Sequence, residues 1–327
     1  MKKLILFRSP MRISFVGGGT DIKEYYENFE GSVFSASINK YVYILINKYH
    51  DKKKCVLKYS KSENVNSVKD IKHPLIRNCL ALTKIWGLDI HSIADIPGGT
   101  GLGSSSSFTV SLLNALYYYK NRKLSKHDLA KKACHVEINL LKAPVGKQDQ
   151  YAASYGGINT FIFKKNEDVI VKKFLNKSVI KNLKNNLLLI NTNTHKKNIS
   201  TLNEQKKSIM KGGKYLDNLK FMKDSVEIFK NNLIKNDLKV CGQILDENWR
   251  KKISLSKKVN NPLFQEIYNE SLKSGAYGGK ICGAGGRGFL LLISPKRNHK
   301  IIKKKLNKLE FLDFNFDYSG SKQIIPL

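Results

Sequence analysis

Acidic side chains are scarce in this sequence: 26 Asp and Glu stand against 58 Lys and Arg in 327 residues, a formal net charge of +32. Cysteine is scarce too. Cys55, Cys79, Cys134, Cys241 and Cys282 are odd in number, scattered and without a C-x-x-C pair, so neither a disulfide framework nor a zinc site is indicated. Idle thiols in a reducing cytoplasm are expected. No apolar run approaches the roughly 18 residues of a membrane span. The short run at residues 4–7 is stopped by Arg8 and Pro10 before it can serve as a signal peptide. Hydrophobic residues at 41% and charged residues at 26% sit near globular averages, which excludes a disordered or collagen-like chain.

Arginine is the next shortage. The basic excess first suggests nucleic acid or an anionic surface. Only Arg8, Arg12, Arg77, Arg122, Arg250, Arg287 and Arg297 carry the planar fork suited to phosphate and base contacts. The excess is also spread evenly, with 28 basic and 14 acidic residues in 1–175 and 30 and 12 in 176–327. An even, lysine-dominated charge reads as compositional bias, and neither a nucleic-acid nor a membrane partner is expected.

Patterning predicts a mixed chain. Apolar runs at 4–7 and 13–16, an alternating Val/Ile/Tyr stretch at 33–46 and a run at 55–59 read as strands. Helical spacing covers 75–86, 105–119 and 125–141, with an extended run at 90–94 between the first two. Strand-like runs return at 158–163, 169–174 and 187–190. A mostly helical, Lys-rich tract follows at 200–274, then a strand-loop-strand element at 280–294, a short helix and a last strand near 311–316. Strands and helices that segregate predict an α+β fold, with a boundary near residue 175.

Glycine carries the clearest chemistry. Pro97-Gly98-Gly99-Thr100-Gly101-Leu102-Gly103 runs through Ser104, Ser105, Ser106 and Ser107 straight into a helix. Such a loop turns backbone N–H groups toward an anion and the helix adds its positive end, a phosphate site that needs no charged side chain. A P-loop requires Lys after Gly103, and Ser104 stands there instead, so this is not a Walker motif. Gly283-Ala284-Gly285-Gly286-Arg287-Gly288 satisfies G-x-G-x-x-G formally, but a strand follows it instead of a helix; a tight turn close to a ligand or another loop fits better. Two acids stand out, Glu137 and Asp149, the latter beside Lys147. By themselves both are more simply read as solvated helix residues.

Three stretches in order resemble the motifs of the GHMP superfamily of sugar and mevalonate kinases. The first is Arg8-Ser9-Pro10-Met11-Arg12-Ile13-Ser14-Phe15-Val16-Gly17-Gly18-Gly19-Thr20-Asp21; the second is Pro97 through Ser107, with Ser106 and Ser107 where the family has alanines; the third is Lys280 through Gly288. Within the superfamily the wording, including Gly146-Lys147-Gln148-Asp149-Gln150-Tyr151-Ala152-Ala153, is nearest to the branch that phosphorylates a heptose 7-phosphate.

The resemblance implies an N-terminal domain like ribosomal protein S5 domain 2 (1–175), a ferredoxin-like C-terminal domain (176–327) and an active site between them. It implies ATP and Mg²⁺, a small sugar phosphate as partner, and a possible homodimer. Pro97, Gly98, Gly99, Thr100, Gly101, Leu102, Gly103, Ser104, Ser105 and Ser106 would wrap the nucleotide phosphates, and Ser105 with Glu137 would hold the metal. Asp149 would be the base, Arg12 would lower the pKa of the attacking hydroxyl, and Gly18, Gly19, Thr20 and Asp21 would meet the sugar. Gly285 lies in the third motif, and Arg287 or Lys147 is expected at the 7-phosphate. The expected reaction gives the 1,7-bisphosphate. A kinase for another sugar such as L-fucose, or a sensor of the same fold without turnover, are the alternatives.

Overall fold

In this computed structural model the described residues are 4–192, 204, 206, 209, 212–254, 262–283 and 288–324. The chain opens with one continuous strand, β1 (Leu4–Val16), where two apolar runs were expected. Pro10 joins them. The ladder to β2 (Gly31–Lys48) shifts register between Pro10 and Met11, and a bulge tolerates a residue that has no N–H to give. Ser107 donates to the Pro10 carbonyl at 2.7 Å. Beyond Phe7 the alternation in β1 is lost and every residue from Ser9 to Val16 is buried, because both faces are covered.

β2 is the spine. One edge pairs with β1; the other takes β6 (Ile158–Phe163) along its first third and β5 (Leu88–Ala94) along its last. β3 (Cys55–Lys58), β4 (Ser62–Val65), β7 (Val169–Lys173) and the last strand, β12 (Lys322–Ile324), complete a sheet of eight strands among the described residues. β12 pairs with β1 at Leu6, Phe7 and Arg8, so the end of the chain returns to the first sheet.

The face that carries the site is built by helices. After α1 (Lys23–Phe29) and α2 (Pro74–Thr83), α3 (Ser104–Tyr119) lies across β1 and β2 with both flanks buried. Gly103 caps it at φ +78°, a left-handed conformation suited to glycine. The helix expected at 125–141 is α4 (Lys126–Cys134), capped by the Ser125 side chain, continued by a π turn at His135–Leu140. A π turn widens the helix by one residue and often sits at functional sites; here it carries Glu137. α5 (Gln148–Tyr155) follows the Pro144 break.

A second sheet contains β8 (Leu187–Asn191), β9 (Gly278–Ile281), β10 (Phe289–Ile293) and β11 (Glu310–Phe311) in the order β11-β8-β10-β9, all antiparallel. Counted within this sheet the order is 4-1-3-2, the split βαβ arrangement expected of a ferredoxin-like lobe. Its described helices are α6 (Lys177–Asn185) just before β8, then α7 (Lys214–Ile234), α8 (Leu238–Ser254), α9 (Pro262–Lys273) and α10 (His299–Lys305). Phe229 of α7 stacks on Phe15 at 5.6 Å and lies 5.7 Å from Phe34, so the apolar core runs from one sheet to the other.

Candidate active site

The Pro10 bulge aims Arg12. Two residues past it, the Arg12 N–H donates to Leu102 O at 2.9 Å, which ties β1 to the second glycine loop. The guanidinium, in a residue only 5% exposed, grips Asp149 with both arms, Nε to Oδ1 at 2.7 Å and Nη2 to Oδ2 at 2.8 Å, while Nη1 donates to Gly101 O at 2.5 Å. The planar fork matches a carboxylate in a way lysine cannot. Asp149 remains 27% exposed at its side chain, within reach of a ligand. Its charge partner is therefore Arg12, distant in sequence, and not the neighbouring Lys147. Lys147 is buried elsewhere, donating to Glu167 O at 2.8 Å and lying 4.5 Å above the Tyr26 ring, so its ammonium is engaged by protein groups.

Asp21 is also buried. It accepts from Gly19 N at 3.0 Å and Gln148 N at 3.2 Å, locking the first glycine turn to the start of α5. Burial, and then the nearby negative charge of Asp149, raise its pKa above the usual carboxylate value. Gly146 allows this approach, since a Cβ there would stand 1.9 Å from Asp21 Oδ2. Gln148 links the two acids. Ser14 donates to its Oε1 at 2.9 Å, and its Nε2 donates to Asp149 Oδ1 at 3.2 Å. Thr20 is wholly buried, with its hydroxyl bonded to Gly17 O and Ser32 O, and so holds the turn in place.

The glycine loop has two kinds of position. Gly99, Gly101 and Gly103 all have φ near +80°. Gly98 and Gly99 face open space, with nothing within 4 Å of an added Cβ. Gly101 is pressed against the third motif: a Cβ there would lie 2.3 Å from Cys282 O, and one on Gly288 would lie 2.0 Å from Thr100 O. The third motif thus closes on the second loop backbone to backbone, the closer contact expected for its glycines. Gly285 and Arg287 lie outside the described residues.

Ser105 and Glu137, expected together at the metal, are placed differently. Ser105 is exposed on the first turn of α3, whereas Ser106 donates to Glu137 Oε2 at 2.9 Å. Glu137 is 2% exposed, and its Oε1 has no hydrogen-bond partner among the described residues. Burial pushes its pKa up to about 7, against the pull of the Thr109 and Ser106 hydroxyls and with help from the Asp149 charge. Among the described residues no cluster of three or more His, Cys, Asp or Glu is grouped to hold a metal. One carboxylate with hydroxyls beside a glycine loop is the thin protein shell that Mg²⁺ accepts when phosphate oxygens and water complete it.

One charged residue escaped the sequence reading. Lys252 is buried at the end of α8, and its ammonium donates to Gly283 O. With Gly18, Gly19, Ile22, Tyr215 and Leu219 it lines a small, largely apolar pocket behind the first glycine turn.

Residues 69–157 match the GHMP kinases N terminal domain and residues 229–309 match the GHMP kinases C terminal domain. This chain belongs to the GHMP kinases and is a phosphotransferase. It is 30% identical, over 98% of both chains, to D-glycero-alpha-D-manno-heptose 7-phosphate kinase of Campylobacter jejuni. Its structure superposes on that of a putative sugar kinase from Campylobacter jejuni with TM-score 0.76, 27% identity and 98% of each chain covered. The fold is shared, at TM-score 0.77, 23% identity and 99% coverage of each chain, with a D-glycero-D-manno-heptose 1-phosphate kinase from Bacteroides thetaiotaomicron. Among the described residues no helix is long and apolar enough to cross a membrane.

Proposed function

We propose that this protein transfers the γ-phosphoryl group of ATP to the anomeric hydroxyl of D-glycero-D-manno-heptose 7-phosphate, giving the 1,7-bisphosphate on the way to GDP-heptose and surface polysaccharide. The acceptor is suggested by the relative that is 30% identical over nearly the whole chain. The observation that carries the chemistry is the two-armed Arg12–Asp149 pair set against the start of the phosphate loop, with Asp149 Oδ2 3.3 Å from where a Gly103 Cβ would stand.

Phosphoryl transfer asks mainly for positioning and charge stabilisation. Residues 98–103 offer backbone N–H groups at the open glycines, and α3 presents its positive end to the same space. Glu137 and Ser106, with Ser105 at the rim, are the residues that would hold Mg²⁺, which when bound neutralises phosphate charge. Asp149 accepts the proton of the acceptor hydroxyl or orients it. An anomeric hydroxyl is more acidic than an ordinary alcohol, so little basicity is required. Arg12 fixes both carboxylate oxygens and lends positive charge to a developing alkoxide. Gln148, itself held by Ser14, keeps Asp149 Oδ1 in register. In this reading the nucleotide loop belongs to a lobe of residues 1–175 and the second lobe to 176–327, its last strand returning to the first sheet.

A panel of free and phosphorylated hexoses and heptoses tests the assignment, with product position read by NMR. Phosphate at C1 of the heptose 7-phosphate is expected, and turnover of a different sugar in its place overturns the acceptor. Asp149→Asn should lower kcat by about 10²- to 10⁴-fold with little change in KM for ATP. Unchanged turnover removes Asp149 from the reaction.

A further inference from the structure

The buried face of α8 runs Leu238, Gly242, Leu245, Trp249, Lys252. This is a helical stripe that ends in a charge. The helix is pinned hard against β9: a Cβ on Gly242 would stand 2.4 Å from Tyr277 Cβ, and one on Gly278 would stand 2.0 Å from Gly242 O. Backbone contact of this kind leaves the last turn of α8 little freedom, so the placement of Lys252 behind Gly18 and Gly19 is built into the fold.

Lys252 is 5% exposed and forms no ion pair among the described residues. A carbonyl, that of Gly283, is its hydrogen-bond partner. The titratable groups around it are Asp21, Arg12, Asp149 and Cys282. Lys280 of β9 is a second buried cation nearby, but its ammonium donates to Phe15 O at 3.0 Å. Burial draws the Lys252 pKa down to about 8. A buried ammonium with no carboxylate bonded to it is costly to maintain. This one lies between the turn of the first motif and the start of the third; Asp21 and Asp149 are near but bonded to other groups, and a phosphorylated ligand would supply a direct partner.

Resting on the reading of the protein as a sugar-phosphate kinase, we infer that Lys252 is the cation of a phosphoryl-binding subsite beside Gly18 and Gly19. The oxyanion it takes belongs either to the phosphate already on the acceptor or to the group in transfer from the nucleotide. Lys is suited to this as a point charge.

Lys252→Met, which keeps the stem and removes the charge, separates the sources. A KM for heptose 7-phosphate raised about ten- to a hundredfold, with KM for ATP and for the unphosphorylated heptose unmoved, assigns the subsite to the acceptor's phosphate. A comparable fall in kcat with both acceptors, at unchanged KM, assigns it to the group in transfer. Constants within twofold of the parent enzyme overturn the inference.

A second measurement needs no variant: acetic anhydride labelling of the intact enzyme, with acetylation at Lys252 read by mass spectrometry. Saturating heptose 7-phosphate or ATP is expected to protect Lys252. If the variant loses activity but neither ligand protects the lysine in the parent enzyme, Lys252 serves only to hold Gly283 and the subsite does not exist. If the enzyme proves to act on another sugar, the heptose assignment fails by itself. The same labelling with ATP and the phosphorylated form of the sugar found then decides on Lys252.

Discussion

In the proposed function the two ends of the candidate site would bind anions in opposite ways. At the nucleotide end, residues 98–107 carry no charged side chain, and the elements on offer are left-handed glycines, serine hydroxyls and the start of α3. At the acceptor end, Arg12, Asp21, Asp149 and Lys252 crowd into a partly dry space. Backbone donors are rigid and cost nothing to desolvate beyond what the turn already imposes, but they recognise only an anion. Placed charges discriminate, and the fold must bear their burial. General affinity for phosphate would thus lie in the loop, and selectivity for one acceptor in the charged cluster.

The sharpest way to break this division is to add one methyl group at two positions of the same loop. Gly101→Ala meets Cys282 O at 2.3 Å from a left-handed φ of +82°. Strain and overlap together should cost on the order of 3–5 kcal/mol, read as a lower midpoint in urea unfolding. Gly98→Ala has nothing within 4 Å and no left-handed φ. It should leave unfolding unchanged and raise KM for ATP. If Gly98→Ala binds ATP as the parent does, the open end of the loop is not where phosphate sits.

The acceptor end was the harder half to read. The glycine loop was legible because its physics is local: the glycines, the serines and the helix they open are contiguous in sequence. Arg12 and Asp149 are 137 positions apart, and only the Pro10 bulge and the crossing of α5 bring them together. Lys147 adjoins Asp149 in sequence, yet from its place just before α5 it turns its side chain toward Tyr26. That Ser106 is the serine bonded to Glu137 was not legible, since the rotation that selects it depends on how α3 packs on the π turn. Of the fold, the strands at 158–163 and 187–191 were plain from their patterning. The short helix α6 and the return of β12 to the first sheet were not, because a three-residue strand has no periodicity to detect. Lys252 did leave a trace, a lysine on the apolar stripe of α8, but in so Lys-rich a chain it did not stand out.

Lys252 also gives the comparison a pH signature. Its pKa falls from 10.5 in the unfolded chain to about 8 in the folded protein. Between those values the unfolded state binds more protons, so stability rises with pH across that window and the burial penalty is present in full below pH 8. The penalty is on the order of 3 kcal/mol. Without ligand, Lys252→Met should therefore be more stable than the parent at pH 7.5, and the gap should close toward pH 10. Thermal unfolding across that range measures it. A variant less stable than the parent at pH 7.5 would mean that the lysine's bond to Gly283 outweighs its burial.

The smallest expected effect concerns Gln148. Leu at this position fills similar space but cannot donate to Asp149 Oδ1 or accept from Ser14. Arg12 still holds both carboxylate oxygens, so the carboxylate stays near its place and only its fine aim is lost. Loss of one hydrogen bond to a charged group predicts a fall in kcat of roughly tenfold or somewhat more, with KM for ATP unchanged. Ser14→Ala, which removes only the support behind Gln148, should follow in the same direction and more weakly. A KM effect for ATP from either substitution would show that the two ends of the site are coupled through α5, and the division between a backbone loop for affinity and placed charges for selectivity would have to be given up.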